Sequence, residues 1–296
     1  MTYPAEPYAK SLHNQTGAWA PSIARRRTLN QLLTLGSALC LLLCLVPLVA
    51  VLGYVLQRGS SRLSGALFIA LPPAAGMVGG GAANAILGTL TMVGIATLIS
   101  VPVGILAAVY LSEAGAPAVA RLIRFAANVL SGVPSIIAGI FAYGLVVLNT
   151  GGFSAIAGGI ALSVLMVPVV VRTTDEALRL VPQDMRWAAI AVGASRYQVV
   201  LQVVLPAALP AIVTGVSLAI ARAAGEAAPL LFTALFSFYY PSGLWEPTAS
   251  LAVMVYNFAT SPYPDQQAIA WAASLVLVLL VLLSSITVRW ATWRKP

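Results

Sequence analysis

The sequence predicts an all-α polytopic membrane protein with six transmembrane helices and both termini in the cytoplasm. Hydrophobic residues make up 60% of the 296 residues and charged residues only 8%, whereas an ordinary soluble domain carries about 25% charged residues. Several charge-free runs are long enough to cross a bilayer, which takes roughly 20 apolar residues. The basic residues are concentrated in alternate segments between these runs, as the positive-inside rule requires.

The N-terminal part predicts a tail followed by one membrane helix. Residues 1–28 are polar and lack apolar periodicity, so we expect a disordered cytoplasmic tail. The first apolar run, Leu32–Leu56, is too long for the apolar core of a cleaved signal peptide, and it predicts an uncleaved first transmembrane helix over residues 29–57. Cys40 and Cys44 lie one turn apart in this run without a nearby histidine or carboxylate. We interpret them as packing residues rather than as a metal pair.

The remaining spans are apolar runs separated by charged or turn-forming residues. Between Arg62 and Glu113 the chain carries no charge, but Pro72, Pro73 and Gly79–Gly81 interrupt the first part. This region therefore holds one span. The five further predicted spans are Ala85–Leu111, Ala126–Leu148, Phe153–Val171, Ala207–Phe236 and Gln267–Val288.

The distribution of basic residues sets the orientation. With the N-terminus inside, every lysine and arginine lies in a cytosolic segment except Arg58, Arg62 and Arg222. This topology explains the net charge of +8 without a nucleic-acid partner. A seventh helix over residues 63–81 would place the basic C-terminus outside. The outer segment Ser237–Pro264 is rich in aromatic residues, and it is either an interfacial aromatic belt or a docking surface for an external partner.

A polar segment interrupts the apolar chain between the fourth and fifth spans. It extends from Arg172 to Pro206. Pro182 suits the first turn of a helix, because its missing N–H needs no partner there. From Gln183 to Val192 apolar residues recur at i, i+3, i+4 and i+7, which predicts a short helix with one apolar face.

A second short helix follows this first one. Gly193 permits a sharp bend between the two. Ser195 with Gln198 three residues later has the form of a capping box. We expect the second helix to end before Pro206. From the residues alone, this pair of helices is either an ordinary surface connection or a docking element.

The same segment carries a spaced motif, W-A-A-x3-G-x9-V-x-L-P. It resembles the cytoplasmic E-A-A-x3-G-x9-I-x-L-P coupling loop of ABC-importer permeases. The resemblance implies a type I permease fold in which a coupling loop, residues 176–206, inserts into a cleft on an ATP-binding subunit. The family has Glu where this chain has Trp, which removes one salt bridge unless Arg186 or Asp184 supplies the charge. The motif residues are Trp187, Ala188, Ala189, Gly193, Val203, Leu205 and Pro206.

Two charges fall inside the predicted fifth span. Arg222 and Glu226 are four residues apart, so they share one face of a continuous helix. Ionisable groups at membrane depth are costly and usually face a cavity or a partner. Two interpretations follow. The charges neutralise each other, or Arg222 lines an anion pathway with a fork of donors suited to oxyanions and Glu226 holds that fork in position.

The third predicted span is broken near its start by Ser131, Gly132, Pro134 and Ser135. A membrane helix tolerates such a break where it faces a cavity or a packed neighbour. The freed backbone N–H groups either help to bind an anion or belong to a packing kink.

Several stretches resemble the A-type permeases of the phosphate-specific ABC transport system. They include A-R-x-x-G-E-x-A-P-L-L over Ala221–Leu231, A-N-x-L-S-G-V-P-S-I-I over Ala127–Ile137 and R-T-T-x-E-A-L from Arg172. The resemblance covers a permease core over residues 82–290. Ala227 stands where the family leads us to expect Thr.

This resemblance implies a function and a set of partners. The chain would be a non-catalytic permease subunit of an ATP-driven phosphate importer in the bacterial cytoplasmic membrane, surrounded by membrane lipid. Its partners would be a second homologous permease, two ATP-binding subunits and an external phosphate-binding protein. The substrate pathway would include Arg222, Glu226, Ser131 and Ser135.

The sequence contains no P-loop of the form G-x4-G-K-[ST], the motif that cradles nucleotide phosphates. We therefore expect no cofactor in this chain, with ATP and magnesium bound by the partner ATPase. The sequence also indicates no metal site.

Three alternatives remain at this stage. The first is the same architecture with sulfate or molybdate as substrate. The second is a secondary transporter or channel, although such folds usually show internal repeats and more spans. The third is a membrane scaffold without transport.

Overall fold

The computed structural model describes residues 23–114 and 117–293, and within these ranges every regular element is helical. The described residues divide into two units, one that ends at Tyr54 and one that begins at Val55. The described part of the first unit belongs to one helix, α1 (Ile23–Ser60), which continues into the second unit. Because α1 begins at Ile23, the expected disordered tail is wrong for residues 23–28. Residues 1–22 lie outside the described part of the chain.

In the described ranges the second unit contains ten further helices of four or more residues, besides two three-residue helices and three π-helical segments. The ten helices are α2 (Gly65–Ile69), α3 (Ala83–Val109), α4 (Pro117–Gly132), α5 (Ser135–Ala142), α6 (Ala155–Arg179), α7 (Gln183–Ala191), α8 (Leu205–Ala224), α9 (Ala228–Leu231), α10 (Leu251–Ala259) and α11 (Pro264–Trp293). Wider π-helical turns extend three of them. Tyr110–Ala114 continues α3, Tyr143–Val147 joins α5 to the short helix Leu148–Thr150, and Val199–Val204 joins the short helix Arg196–Gln198 to α8.

Five helices in the described ranges are long and apolar enough to cross a membrane, and a sixth crossing results if the bent pair α4–α5 counts as one. Helices α1, α3, α6, α8 and α11 correspond to five of the six predicted spans. The third predicted span, Ala126–Leu148, is not one continuous helix, because α4 and α5 meet at an angle of 104°. Pro134 lies at this bend, where proline disfavours a helical conformation of the residue before it.

The fifth predicted span, Ala207–Phe236, is correct only in its first part. Helix α8 ends at Ala224, and Gly225 caps it. Pro229 then lies in the first turn of the short helix α9, where proline is tolerated. The residues after α9 are irregular as far as α10.

The core of the second unit is built on a close parallel contact between α3 and α6. Met92 faces Gly158 and Val170 faces Gly104, so the contacts follow the same order along both helices. A Cβ atom added at Gly104 would lie 2.6 Å from Cγ1 of Val170. Small residues at such positions let membrane helices approach closely.

Helix α8 also packs against α6. Ala219 and Ala223 of α8 are buried in one cluster with Leu162, Met166 and Val170 of α6. This packing places the end of α8 next to the middle of α6.

The outer segment forms a partly buried structure. Leu251, Met254 and Phe258 of α10 are buried in a cluster with residues of α11. The Phe236 ring contacts those of Phe238 and Phe258, with centroids 5.1 and 5.7 Å apart. The side chains of Tyr239, Trp245 and Tyr256 are exposed. They are therefore accessible in either of the two roles predicted for this segment.

Candidate coupling loop and anion site

The bend in the polar segment agrees with the prediction. Gly193 adopts a left-handed conformation with φ +92°, which glycine adopts without strain. The Ser195 hydroxyl accepts a hydrogen bond from the Gln198 N–H, and the Gln198 side chain accepts one from the Ser195 N–H at 2.8 Å. The predicted capping box is therefore present.

Two details of the predicted helices are wrong. Pro182 precedes α7 as its N-cap and does not lie in its first turn. The second helix does not end before Pro206, because it continues through Val199–Val204 into α8. Pro206 is the second residue of α8 and directly follows this π-helical segment.

Large apolar side chains of α7 and of the residue after it are exposed. Trp187 is 64% exposed, Met185 is 43% exposed and Val192 is 86% exposed. We name the large exposed apolar side chains from Leu180 to Tyr197 the coupling surface, after the role that the resemblance implies for this loop. Its members are Leu180, Met185, Trp187, Ile190, Val192 and Tyr197.

The other motif residues are divided between the surface and the interior. Ala188, Gly193 and Pro206 are exposed. The half-buried motif residues Ala189 and Leu205 pack against the cluster that contains Leu178 and Val204, and Val203 is half-buried as well. The motif thus both presents the coupling surface and attaches it to the protein.

The two residues considered as substitutes for the missing glutamate differ in position. Asp184 is exposed. The side chain of Arg186 is only 12% exposed, and it forms an ion pair with Glu113. Arg186 is therefore directed into the protein, and only Asp184 is accessible to a partner.

Arg222 and Glu226 form an ion pair, with Nε of Arg222 3.8 Å from Oε1 of Glu226. Glu226 lies beyond the end of α8 at Ala224, so the expectation of one continuous helix through both residues is wrong. Within this chain the side chain of Arg222 is 65% exposed, while that of Glu226 is 21% exposed. Ala223 occupies the face toward α6, and Arg222 lies about 100° around the helix from it.

The guanidinium of Arg222 has free donor capacity. Within the part of the chain that the structure describes, its two terminal nitrogens have no hydrogen-bond partner. A cavity of about 10 Å³ adjoins it, which is close to the volume that one water occupies. Seven residues line this cavity: Leu165, Met166, Val169, Ala219, Arg222, Ala223 and Glu226.

The predicted serines flank the bend between α4 and α5. Ser131 donates a hydrogen bond to the carbonyl of Ala127 at 2.8 Å, and Ser135 is the first residue of α5. Helix α5 contacts α9 closely, since a Cβ at Gly139 would lie 2.7 Å from Cα of Pro229. The described residues show no hydrogen bond from either serine to Arg222 or Glu226. The structure thus brings the two elements together but not the side chains.

Sequence reasoning missed a group of ion pairs at the inner ends of the membrane helices. Besides Arg186 with Glu113, Asp175 pairs with Arg124 at 3.0 Å and with Arg179 at 3.1 Å. From the sequence, Arg124 and Arg179 are explained only by the positive-inside pattern, and Arg186 by that pattern and as a substitute for the family's glutamate. The available signal was the occurrence of Glu113 and Asp175 among them, because the whole chain has only eight acidic residues.

Comparison with known families gives one match that covers most of the chain. Residues 100–294 match the family described as "Binding-protein-dependent transport system inner membrane component".

Several curated proteins are similar over nearly their whole length. The chain is 41% identical to the phosphate transport system permease protein PstA of Yersinia pestis over 90% of both chains. It is 42% identical to PstA of Xylella fastidiosa strain Temecula1, over 90% of this chain and 93% of that one. It is also 36% identical to PstA 1 of Mycobacterium tuberculosis strain H37Rv, over 88% of this chain and 86% of that one.

Solved structures share the fold at low identity. A chain of a bacterial alginate ABC transporter, in complex with its alginate pentasaccharide-bound periplasmic protein, superposes with a TM-score of 0.62 at 15% identity, over 90% of this chain and 96% of that one. A chain of the inward-facing MetNI methionine ABC transporter superposes with a TM-score of 0.57 at 21% identity, over 72% of this chain and 93% of that one.

Proposed function

The chain belongs to the family of binding-protein-dependent transport system inner membrane components, and within it to the PstA phosphate transport permeases, and we propose that it forms half of the membrane pathway of an ATP-driven phosphate importer. It is a multi-pass membrane protein and a transporter component. We place it in the bacterial cytoplasmic membrane, as the description of its family as an inner membrane component indicates.

The observation that carries the choice of substrate is the 41% identity over 90% of both chains to a permease named for phosphate transport. The chemistry of Arg222 supports it. A guanidinium stays charged at all physiological pH values and offers a planar fork that matches the oxygens of a tetrahedral anion. Glu226 holds one edge of this fork, while the terminal nitrogens remain available.

The exposure of Arg222 supports a second permease. Its side chain is 65% exposed within this chain. A homologous partner facing this side of α8 would complete the pathway and remove Arg222 from bulk water. We also assign Ser131 and Ser135 to the wall of this pathway, because the bend at which they lie is next to α9.

The coupling surface supports a cytosolic ATPase as the energy source. ATP and magnesium are bound by that partner, with one copy on each permease, and this chain performs no hydrolysis. Trp187 stands where the coupling-loop motif of ABC-importer permeases has a glutamate, so the contact with the ATPase at this position is apolar. At the other end of the molecule, an external phosphate-binding protein docks on the outer segment with its exposed aromatic side chains.

The transport cycle follows from these contacts. Closure of the two ATPases moves the coupling loops, and the membrane helices change between inward-facing and outward-facing arrangements. Rigid-body movements of this kind are the usual repertoire of such switches.

Uptake by phosphate-starved cells tests the proposal. Cells lacking this chain should lose high-affinity uptake of labelled phosphate, and the intact chain should restore it in the presence of excess sulfate. Unchanged phosphate uptake in the deletion strain would contradict the substrate. Sulfate and molybdate uptake in the same strains would then identify another oxyanion.

A further inference from the structure

One ion pair joins the coupling loop to a distant part of the chain. Arg186 of α7 pairs with Glu113, which is 73 residues earlier in the sequence and lies in the π-helical turn that ends α3. Their side chains are only 12% and 13% exposed. A charge so enclosed is strongly destabilising unless its partner stays in place.

The same arginine binds a second element. Its guanidinium donates a hydrogen bond of 2.8 Å to the carbonyl of Leu178, near the end of α6. A single side chain on α7 thereby holds the inner ends of both α3 and α6, and these are the two helices that form the parallel core contact.

A neighbouring set of ion pairs ties α4 to the same place. Arg124 of α4 pairs with Asp175 of α6 at 3.0 Å and donates to the carbonyl of Leu111 at 3.2 Å. Arg179, one turn further along α6, pairs with the same Oδ2 atom of Asp175 at 3.1 Å. The inner ends of α3, α4 and α6 are thus connected by directional polar contacts.

A contrasting ion pair lies entirely within α6. Arg172 and Glu176 of α6 are 3.0 Å apart, with side chains 65% and 62% exposed. This pair is local to one helix and joins no second element. Exposed pairs of this kind contribute little to stability.

A buried ion pair is weak evidence for stability, because well-packed apolar residues often stabilise a protein as well or better. What an ion pair adds is a fixed geometry, since its hydrogen bonds lose their energy when the partners shift by an ångström or two. The apolar contact of Ala189 with the cluster around Leu178 and Val204 allows α7 to slide along its neighbours. The polar contacts of Arg186 do not allow this movement.

We propose that the Arg186–Glu113 pair is the link through which the coupling loop moves α3 and α6 during the transport cycle. Movement of α7 passes to α3 through Glu113 and to α6 through the carbonyl of Leu178. Helix α6 in turn supplies Leu165, Met166 and Val169 to the cavity beside Arg222. This inference rests on the proposed function, and both residues are positioning residues, since neither touches substrate.

The test measures coupling separately from assembly. The complete complex, with its ATPase and the phosphate-binding protein, is reconstituted in proteoliposomes, and labelled phosphate uptake and ATP hydrolysis are followed in parallel. Arg186→Gln and Glu113→Gln should retain the ATPase but raise the ATP hydrolysed per phosphate about tenfold, within the usual range of coupling energies. The double variant Glu113→Arg with Arg186→Glu exchanges the two charges. It should return the ATP hydrolysed per phosphate most of the way to the value of the intact complex. Arg172→Gln, the matched control, should leave it unchanged.

The outcomes separate the two proposals. In one outcome, the intact complex takes up phosphate while both single variants hydrolyse the same amount of ATP per phosphate as it does. That result would overturn the Arg186–Glu113 link but leave the proposed function standing. An intact complex without phosphate uptake would contradict the proposed function and the link with it. Should the single variants fail to assemble, Arg186→Lys replaces them, because it keeps the charge but loses the planar fork. An assembled R186K complex with normal coupling would overturn the link.

Discussion

Oε1 of Glu226 lies 3.8 Å from Nε of Arg222, just beyond the end of α8. The carboxylate approaches only one edge of the guanidinium, so the terminal nitrogens remain available to an anion. In the proposed pathway, Glu226 would orient the donor fork of Arg222, and its negative charge would weaken the attraction of the site for an anion.

Neutralising this carboxylate should strengthen binding but slow transport. In Glu226→Gln we expect both the KM for phosphate and the maximal rate to fall by about two- to fivefold, the equivalent of one exposed ion pair. Uptake kinetics over a range of phosphate concentrations measure both. Glu226→Asp keeps the charge and serves as the control, and an unchanged KM in Glu226→Gln would argue against this role.

Trp187 should act as an apolar anchor for the ATPase. Truncating a central aromatic residue of an interface typically costs 2 kcal/mol or more, roughly a thirtyfold loss of affinity. Trp187→Ala should therefore weaken co-purification of the ATPase, with little dependence on salt. Trp245→Ala is the matched control, because Trp245 is exposed to 62% but lies in the outer segment. Equal effects of the two changes would speak against a specific contact.

We expect the bend to need glycine at position 193 because of its left-handed backbone conformation, and not because a larger side chain would lack space. A Cβ atom there would meet nothing within 4 Å, yet φ is +92°. Gly193→Val should disturb the loop and reduce ATPase binding, because a β-branched residue is strained at positive φ. Gly193→Asn should retain more binding, since asparagine tolerates that region better. Equal binding by the two variants, measured by pull-down of the ATPase, would show that the bend is not constrained.

The close contact of α3 with α6 should not tolerate an added methyl group. Gly104→Ala should lower stability by about 1–3 kcal/mol through overpacking against Val170, and adding Val170→Ala should recover part of the loss. Thermal unfolding of the detergent-solubilised protein measures this. Gly94→Ala is the control, because a Cβ at Gly94 meets nothing within 4 Å. A stable Gly104→Ala protein would show that the two helices can separate at little cost.

Local features of the coupling loop were predictable from the sequence. The turn at Gly193 and the capping box of Ser195 with Gln198 depend on residues within a few positions of each other. The positions of most apolar helices were also predictable, because a bilayer requires a minimum length of apolar chain.

Features that depend on tertiary contacts were not predictable. The sequence places Arg222 and Glu226 at helical spacing but does not show that α8 ends between them. It also marks the break at Pro134, but the angle between α4 and α5 depends on what each helix packs against. The pairing of Arg186 with Glu113 joins residues 73 positions apart, and no local pattern specifies such a pair.

The central claim is that Arg222 lies on a phosphate pathway, and ATP-dependent uptake of labelled phosphate by the reconstituted complex tests it most directly. The intact chain should take up phosphate in the presence of excess sulfate, and Arg222→Gln should reduce uptake by at least about tenfold, since it removes a charge-assisted contact to the anion. Co-purification of the ATPase should be unchanged in this variant. Arg121→Gln, at another exposed arginine, should transport normally. Normal phosphate uptake by the Arg222→Gln complex would contradict the pathway role.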